Sequence, residues 1–152
     1  MRILVSACLL GHPVRYDGQV KEYPEVNELL TKPDVELIPV CPECLGGLPV
    51  PRIPAERTKE GNVFNREGQD VTSAFEKGAE RAVRLALDSG CVAALLKSRS
   101  PSCGSGGIYD GTFSGSLVNG DGLAAERLKK AGIPVYTEKE MSLLKEEIIC
   151  SK

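Results

Sequence analysis

Arg2–Ile3–Leu4–Val5–Ser6–Ala7–Cys8 opens the chain, and its reading decides the fold. The apolar residues run on without alternating, as in a strand covered on both faces of a parallel sheet. Three further stretches read the same way: Val35–Glu36–Leu37–Ile38–Pro39–Val40, Cys91–Val92–Ala93–Ala94–Leu95–Leu96 and Ile133–Pro134–Val135–Tyr136. Pro134 lacks a donor, which puts the last of these at a sheet edge. Helices are expected between the strands. Pro24 to Leu30 forms a short one that stops before Pro33. Ser73 with Glu76 has capping-box spacing, and Phe75, Ala79, Val83, Ala86 and Leu87 then line one face until Gly90. Leu123 to Ala131 closes at Gly132. Thr137 with Glu140 is a second capping box, opening a tail helix striped by Leu144 and Ile148 beside Met141.

This order predicts a single α/β domain over residues 1–152, three-layered and Rossmann-like, with a mostly parallel central sheet of about four or five strands. Two stretches stand outside the helix–strand scheme. Residues 41–71 hold Gly46–Gly47 and a cluster of prolines, and residues 98–122 are rich in Gly and Ser. Loops this long are functional or hide small elements, and a minor hairpin is expected near Val63 to Val71.

The 152 residues carry 19 basic and 21 acidic side chains, for a net charge of -2. No basic run is present, which disfavours a broad nucleic-acid surface. Neither a signal peptide nor a spanning helix is visible, so no membrane role and a cytoplasmic location are expected. In that reducing compartment the six cysteines read as buried thiols or metal ligands rather than disulfides.

Cys8 and Cys41 directly follow the first two strands, and Cys103 lies seven residues past the third. Ligands of open α/β sheets sit outside the strand C-terminal ends. Parallel strands bring three such ends to one edge, so thiols 33 and 62 residues apart can converge there. Gly11 and the run Gly104–Ser105–Gly106–Gly107 let backbone approach a bulky inorganic group. Cys91 reads as structural and Cys150 as incidental. Cys44 completes a Cys41–Pro42–Glu43–Cys44 pair, which is either redox-active, a further ligand or neither. Three thiolates suit a [4Fe–4S] cluster with one iron open, or zinc with a fourth ligand from His12 or Cys44.

The motifs Val5–Ser6–Ala7–Cys8–Leu9–Leu10–Gly11, Arg15–Tyr16–Asp17–Gly18, Val40–Cys41–Pro42–Glu43 and Ser100–Pro101–Ser102–Cys103–Gly104 together resemble the DUF523 family of small bacterial proteins. Gly46–Gly47–Leu48–Pro49, Pro51–Arg52 with Pro54–Ala55–Glu56, and Tyr109–Asp110–Gly111 extend the resemblance over nearly the whole chain. Characterised members of that family include a thiouracil desulfurase. The resemblance implies a non-redox enzyme that takes sulfur from a thiolated pyrimidine such as 2-thiouracil to give uracil. It implies a [4Fe–4S] cluster on Cys8, Cys41 and Cys103, with Glu43 and Ser100 as catalytic residues. Other readings stay open: desulfuration of thiouridine in tRNA, or a non-enzymatic zinc or iron–sulfur protein. The chain departs from the family pattern at Cys44, where an apolar residue is expected, and at Val14, a site often cysteine.

Around the expected site several residues have two readings each. Glu43 is a base or a solvated turn residue, and Ser100 a substrate contact or a loop cap. Arg15, Tyr16 and Asp17 form a turn or roof a pocket, with Tyr16 stacking on a pyrimidine. Arg52 and Glu56 pair with each other or meet ligand. Asp110 before Gly111 reads as a turn. Lys97 and Arg99 supply positive charge that favours thiolates.

Overall fold

In the computed structural model, described over residues 1–29 and 31–150, four strands form one fully parallel sheet. Of the side chains, those of residues 149 and 150 are outside the description. The expected helix end at Leu30 and the thiol of Cys150 therefore fall outside it. The strands are β1 (Arg2–Ser6), β2 (Glu36–Val40), β5 (Cys91–Leu96) and β8 (Val135–Thr137), in the order β2-β1-β5-β8. Their helices are α1 (Pro24–Leu29), α2 (Pro42–Leu45), α3 (Thr72–Asp88), α4 (Leu123–Lys130) and α5 (Met141–Cys150). Two short antiparallel hairpins complete the fold: β3 (Ala55–Arg57) with β4 (Val63–Asn65), and β6 (Gly107–Tyr109) with β7 (Leu117–Asn119).

The apolar run at the start does what its composition demands. Ile3, Leu4 and Val5 are fully buried. Ile3 and Val5 pack with Val26, Leu29 and Leu144 from α1 and α5 on one face. Leu4 packs with Ala82, Ala86 and Leu128 from α3 and α4 on the other. These are the three expected layers. No helix among the described residues is long and apolar enough to cross a membrane.

Four local expectations shift. The last strand begins at Val135 rather than Ile133, because the Pro134 carbonyl takes the Ala94 N–H and Ile133 plugs the core. The long helix opens at Thr72 without the Ser73–Glu76 box. Its start is tied to β4 instead, where Thr72 Oγ1 accepts the Val63 N–H at 2.9 Å. Leu87 is 56 % exposed, and the inward face is carried by Phe75, Gly78, Ala79, Ala82 and Ala86. The Thr137–Glu140 box is present, with a 3-10 turn ahead of α5. The hairpin expected over residues 63–71 is built mainly by β4 with the earlier β3, and residue 70 only bridges to Phe64. The Gly/Ser-rich stretch hides the β6–β7 hairpin.

The small residues of α3 have a positional purpose. A Cβ on Gly78 would overlap the Pro42 carbonyl of α2, and one on Gly46 would overlap the Ala74 carbonyl of α3. Backbone thus lies on backbone, and α2 is seated where β2 delivers it. A Gly78→Ala substitution tests this seat. Alanine in a helix interior ordinarily gains about 1 kcal/mol over glycine. Here overpacking wins, and urea unfolding should show a net loss of about 1–3 kcal/mol.

Candidate functional site

Three of the four parallel strand ends lead to cysteines that border one cavity of about 860 Å³. Cys8 sits in a 3-10 turn, Ala7–Leu10, immediately after β1. That turn is closed by Gly11 in the left-handed region, φ 85. Cys41 caps the N-terminus of α2, and Glu43 is in the first turn of that helix. Cys103 lies in the loop beyond β5 and is 6 % exposed. Cys8, Cys41, Cys103, Glu43 and Ser100 all line the cavity. His12 and Cys44 do not border it.

The loop that carries Cys103 is held from within. Ser100 Oγ accepts the N–H groups of Ser102 at 3.1 Å and Cys103 at 3.0 Å. The Gly104 N–H donates to the Ser100 carbonyl at 2.9 Å, and a Cβ on Gly104 would crowd that carbonyl. Ser100 is therefore a loop cap that also borders the cavity.

Burial dominates the thiols. It pushes Cys103 up, with the nearby Cys8, Glu43 and Cys41 adding and the Ser6 hydroxyl opposing. It pushes Cys41 up to about 12. Burial also raises Cys8, against the pull of Lys97 and Arg15. The five described cysteines carry free thiols. Among the described residues, no three His, Cys, Asp or Glu side chains close into a cage for a single metal ion. The three thiols instead border a larger space, and the soft sulfur donors suit a thiophilic metal group.

Glu43 is not a solvated turn residue. Its carboxylate is paired with Arg52, whose Nε donates to Oε2 at 2.7 Å. Arg52 does not pair with Glu56. That carboxylate accepts the N–H groups of Gly111 at 3.0 Å and Phe113 at 3.1 Å, and so braces the two hairpins. Arg15 to Gly18 form a turn, and Arg15 and Tyr16 also line the cavity. Asp110 makes a turn with Thr112. Lys97 and Arg99 both line the cavity. Val14 borders it too, with its carbonyl 3.9 Å from the Cys41 sulfur.

Two participants escaped the sequence analysis. Ser6, the one polar residue in the run Ile3 to Ser6, accepts the Lys97 N–H at 3.0 Å and reaches Cys103. Its signal was a hydroxyl at the end of a strand that is otherwise buried hydrocarbon. Glu138 directly follows β8 and binds Lys97 Nζ at 2.9 Å and Ser98 N at 2.7 Å. Burial opposes its charge, but the bonds from Lys97 and Ser98 win and hold its carboxyl below the ordinary value. It was findable as the fourth strand end on the same edge.

Comparison with known proteins adds three matches. A family profile described as 2-thiouracil desulfurase matches residues 3–140. An uncharacterized protein of Bacillus subtilis (strain 168), YbbK, is 39 % identical over 149 residues, spanning 92 % of this chain and 97 % of YbbK. A solved structure of a [4Fe-4S]-dependent thiouracil desulfidase, TudS, is 45 % identical with a TM-score of 0.89, covering 98 % of each chain.

The raised thiols make a stability prediction for the metal-free chain. Folding holds these groups protonated above their ordinary value of 9.0, for Cys41 to about 12. As pH rises, the unfolded chain releases those protons first. The stabilisation is whole below 9 and is lost between 9 and 12. Urea midpoints of the metal-free protein should fall as pH goes from about 8 to about 11, and fall less in Cys41→Ala.

Proposed function

Because the chain belongs to the 2-thiouracil desulfurase family, we propose that it removes sulfur from a small thiolated pyrimidine such as 2-thiouracil. The observation that carries this reading is the lining of one cavity by Cys8, Cys41, Cys103, Glu43 and Ser100 together. The solved relative is a [4Fe-4S]-dependent thiouracil desulfidase, which supports the same cofactor here. Cys8, Cys41 and Cys103 would hold it. A closed zinc site needs a fourth protein ligand. His12 does not border the cavity, and Cys44 meets the Cys41 thiol without lining the cavity, so the preference for the cluster rests on the solved relative. When bound through three thiolates, a [4Fe–4S] cluster supplies a Lewis-acidic iron with a vacant position for sulfur.

The chain's own residues supply the rest. The reaction exchanges C=S for C=O, with water as the oxygen donor and sulfide as the other product. No electrons are gained or lost. Glu43, two residues from Cys41, takes the proton from the attacking water. Ser100 already accepts two backbone N–H groups, so its own O–H is the part left to orient substrate or water. Lys97 and Arg15 supply positive charge beside Cys8 and so favour its thiolate. The apolar walls Leu48, Ile53 and Phe75 limit competing water and suit a flat heterocycle. The mixed surface charge, net -2, favours a free small molecule over RNA.

Anaerobic purification tests the reading. A brown protein is expected with about four irons and matching acid-labile sulfide. It should convert 2-thiouracil to uracil with one sulfide released per turnover. Cys103→Ser should lose the iron. Glu43→Gln should keep it and lose about 10²–10⁴-fold in kcat. Stoichiometric zinc without labile sulfide would reject the cofactor, and full kcat in Glu43→Gln would reject the base.

A further inference from the structure

Arg52 has no part in the chemistry above, yet its placement is unusual for a surface cation. Its side chain is only 8 % exposed, and that of Glu43 14 %. Nε donates to Glu43 Oε2 at 2.7 Å, and Nη2 contacts the same oxygen. Nη2 also donates to the Val14 carbonyl at 3.0 Å, and Nη1 to the Pro49 carbonyl at 3.2 Å. The Arg52 backbone N–H donates to the Tyr16 carbonyl at 2.7 Å. One residue therefore joins the carboxylate to two of the loops that wall the cavity.

The pattern of acceptors is informative. An arginine paired fork-to-fork with a carboxylate occupies both oxygens. Here two nitrogens fall on Oε2, so Oε1 keeps its lone pairs for another partner. Burial works against the guanidinium charge, but Glu43 and Cys41 outweigh it and hold the group charged. A lysine offers a point charge on a flexible stem and cannot reach three fixed acceptors at once.

We propose that Arg52 is a positioning residue that anchors Glu43 by Oε2 and presents Oε1 to the substrate's water. This rests on the reading of Glu43 as the base. A misplacement of about 1 Å at such a group costs about 10²-fold in rate. A purely structural Arg52 would act differently. Its loss would lower stability and metal content and leave turnover per loaded chain unchanged.

The experiment compares Arg52→Lys, Arg52→Ala and Glu43→Gln with the natural protein, all purified anaerobically. Iron, labile sulfide and thermal midpoint are measured first, then kcat and KM for 2-thiouracil per loaded chain. Both Arg52 variants should bind iron, with kcat lower by about 10²-fold and KM nearly unchanged. Millimolar guanidinium should recover part of the loss in Arg52→Ala and none in Glu43→Gln. In the metal-free chain, carbodiimide labelling of Glu43 should rise in Arg52→Lys relative to the exposed Glu67. Unchanged kcat per loaded chain, or unchanged Glu43 labelling, overturns the proposal. If Arg52→Ala fails to fold, Arg52→Lys decides by the same two measurements. Unchanged kcat in an Arg52 variant beside an inactive Glu43→Gln removes this proposal alone. Full kcat in Glu43→Gln removes the base itself, and the role of Arg52 with it.

Discussion

Parallel pairing is the constraint on which the molecule turns. Four strands run the same way, so their C-terminal ends share one edge of the sheet. From that edge hang Cys8 after β1, Cys41 after β2, Lys97 after β5 and Glu138 after β8. A strand of five residues is about 16 Å long. Reversing β1 or β2 would carry its cysteine that far from the others. β1 is in turn held inside the sheet by burial on both faces, with Ile3, Leu4 and Val5 fully buried.

The second requirement is that backbone come close to backbone. The α2–α3 contact at Gly46 and Gly78 brings the first turn of α2 down onto the sheet edge. The loop at Gly104 folds back tightly enough to bury Cys103. The hairpins then close the sides, with Glu56 linking one to the other. The result is a concave site whose walls come from the inserts and whose floor comes from the sheet. Buried ion pairs, and thiols that must ionise while buried, are costly in a core. Here such groups gather at one edge of the sheet, where Cys103 and Cys8 adjoin the hydrocarbon layers on either face.

Much of this was legible in the sequence, for reasons that differ between elements. The strands showed because buried parallel strands are continuous apolar runs. Cys8 and Cys41 showed because rare residues stood directly beyond such runs, and Cys103 because it lay in the Gly/Ser-rich loop seven residues past a third. Glu43 followed from its nearness to Cys41, whereas Ser100 came only from the family resemblance. What stayed hidden depends on contacts between distant segments. The Arg52–Glu43 pair spans a turn rich in glycine and proline, and the nearer Glu56 is drawn off by two backbone N–H groups. The start of α3 is set by Val63 across a turn, which outweighs the local capping spacing at Ser73. The small hairpins are only three residues per strand, too short for any period to register.

The two edges of the sheet carry a consequence of their own. β2 contains Pro39, and β8 is entered through Pro134. A proline offers no donor to an arriving strand, so both borders are poor templates for extending the sheet with another molecule. Resistance to stacking lowers the chance that the folded chain adds to a neighbour's sheet. The same two prolines make the folded domain less prone to aggregate through its sheet edges.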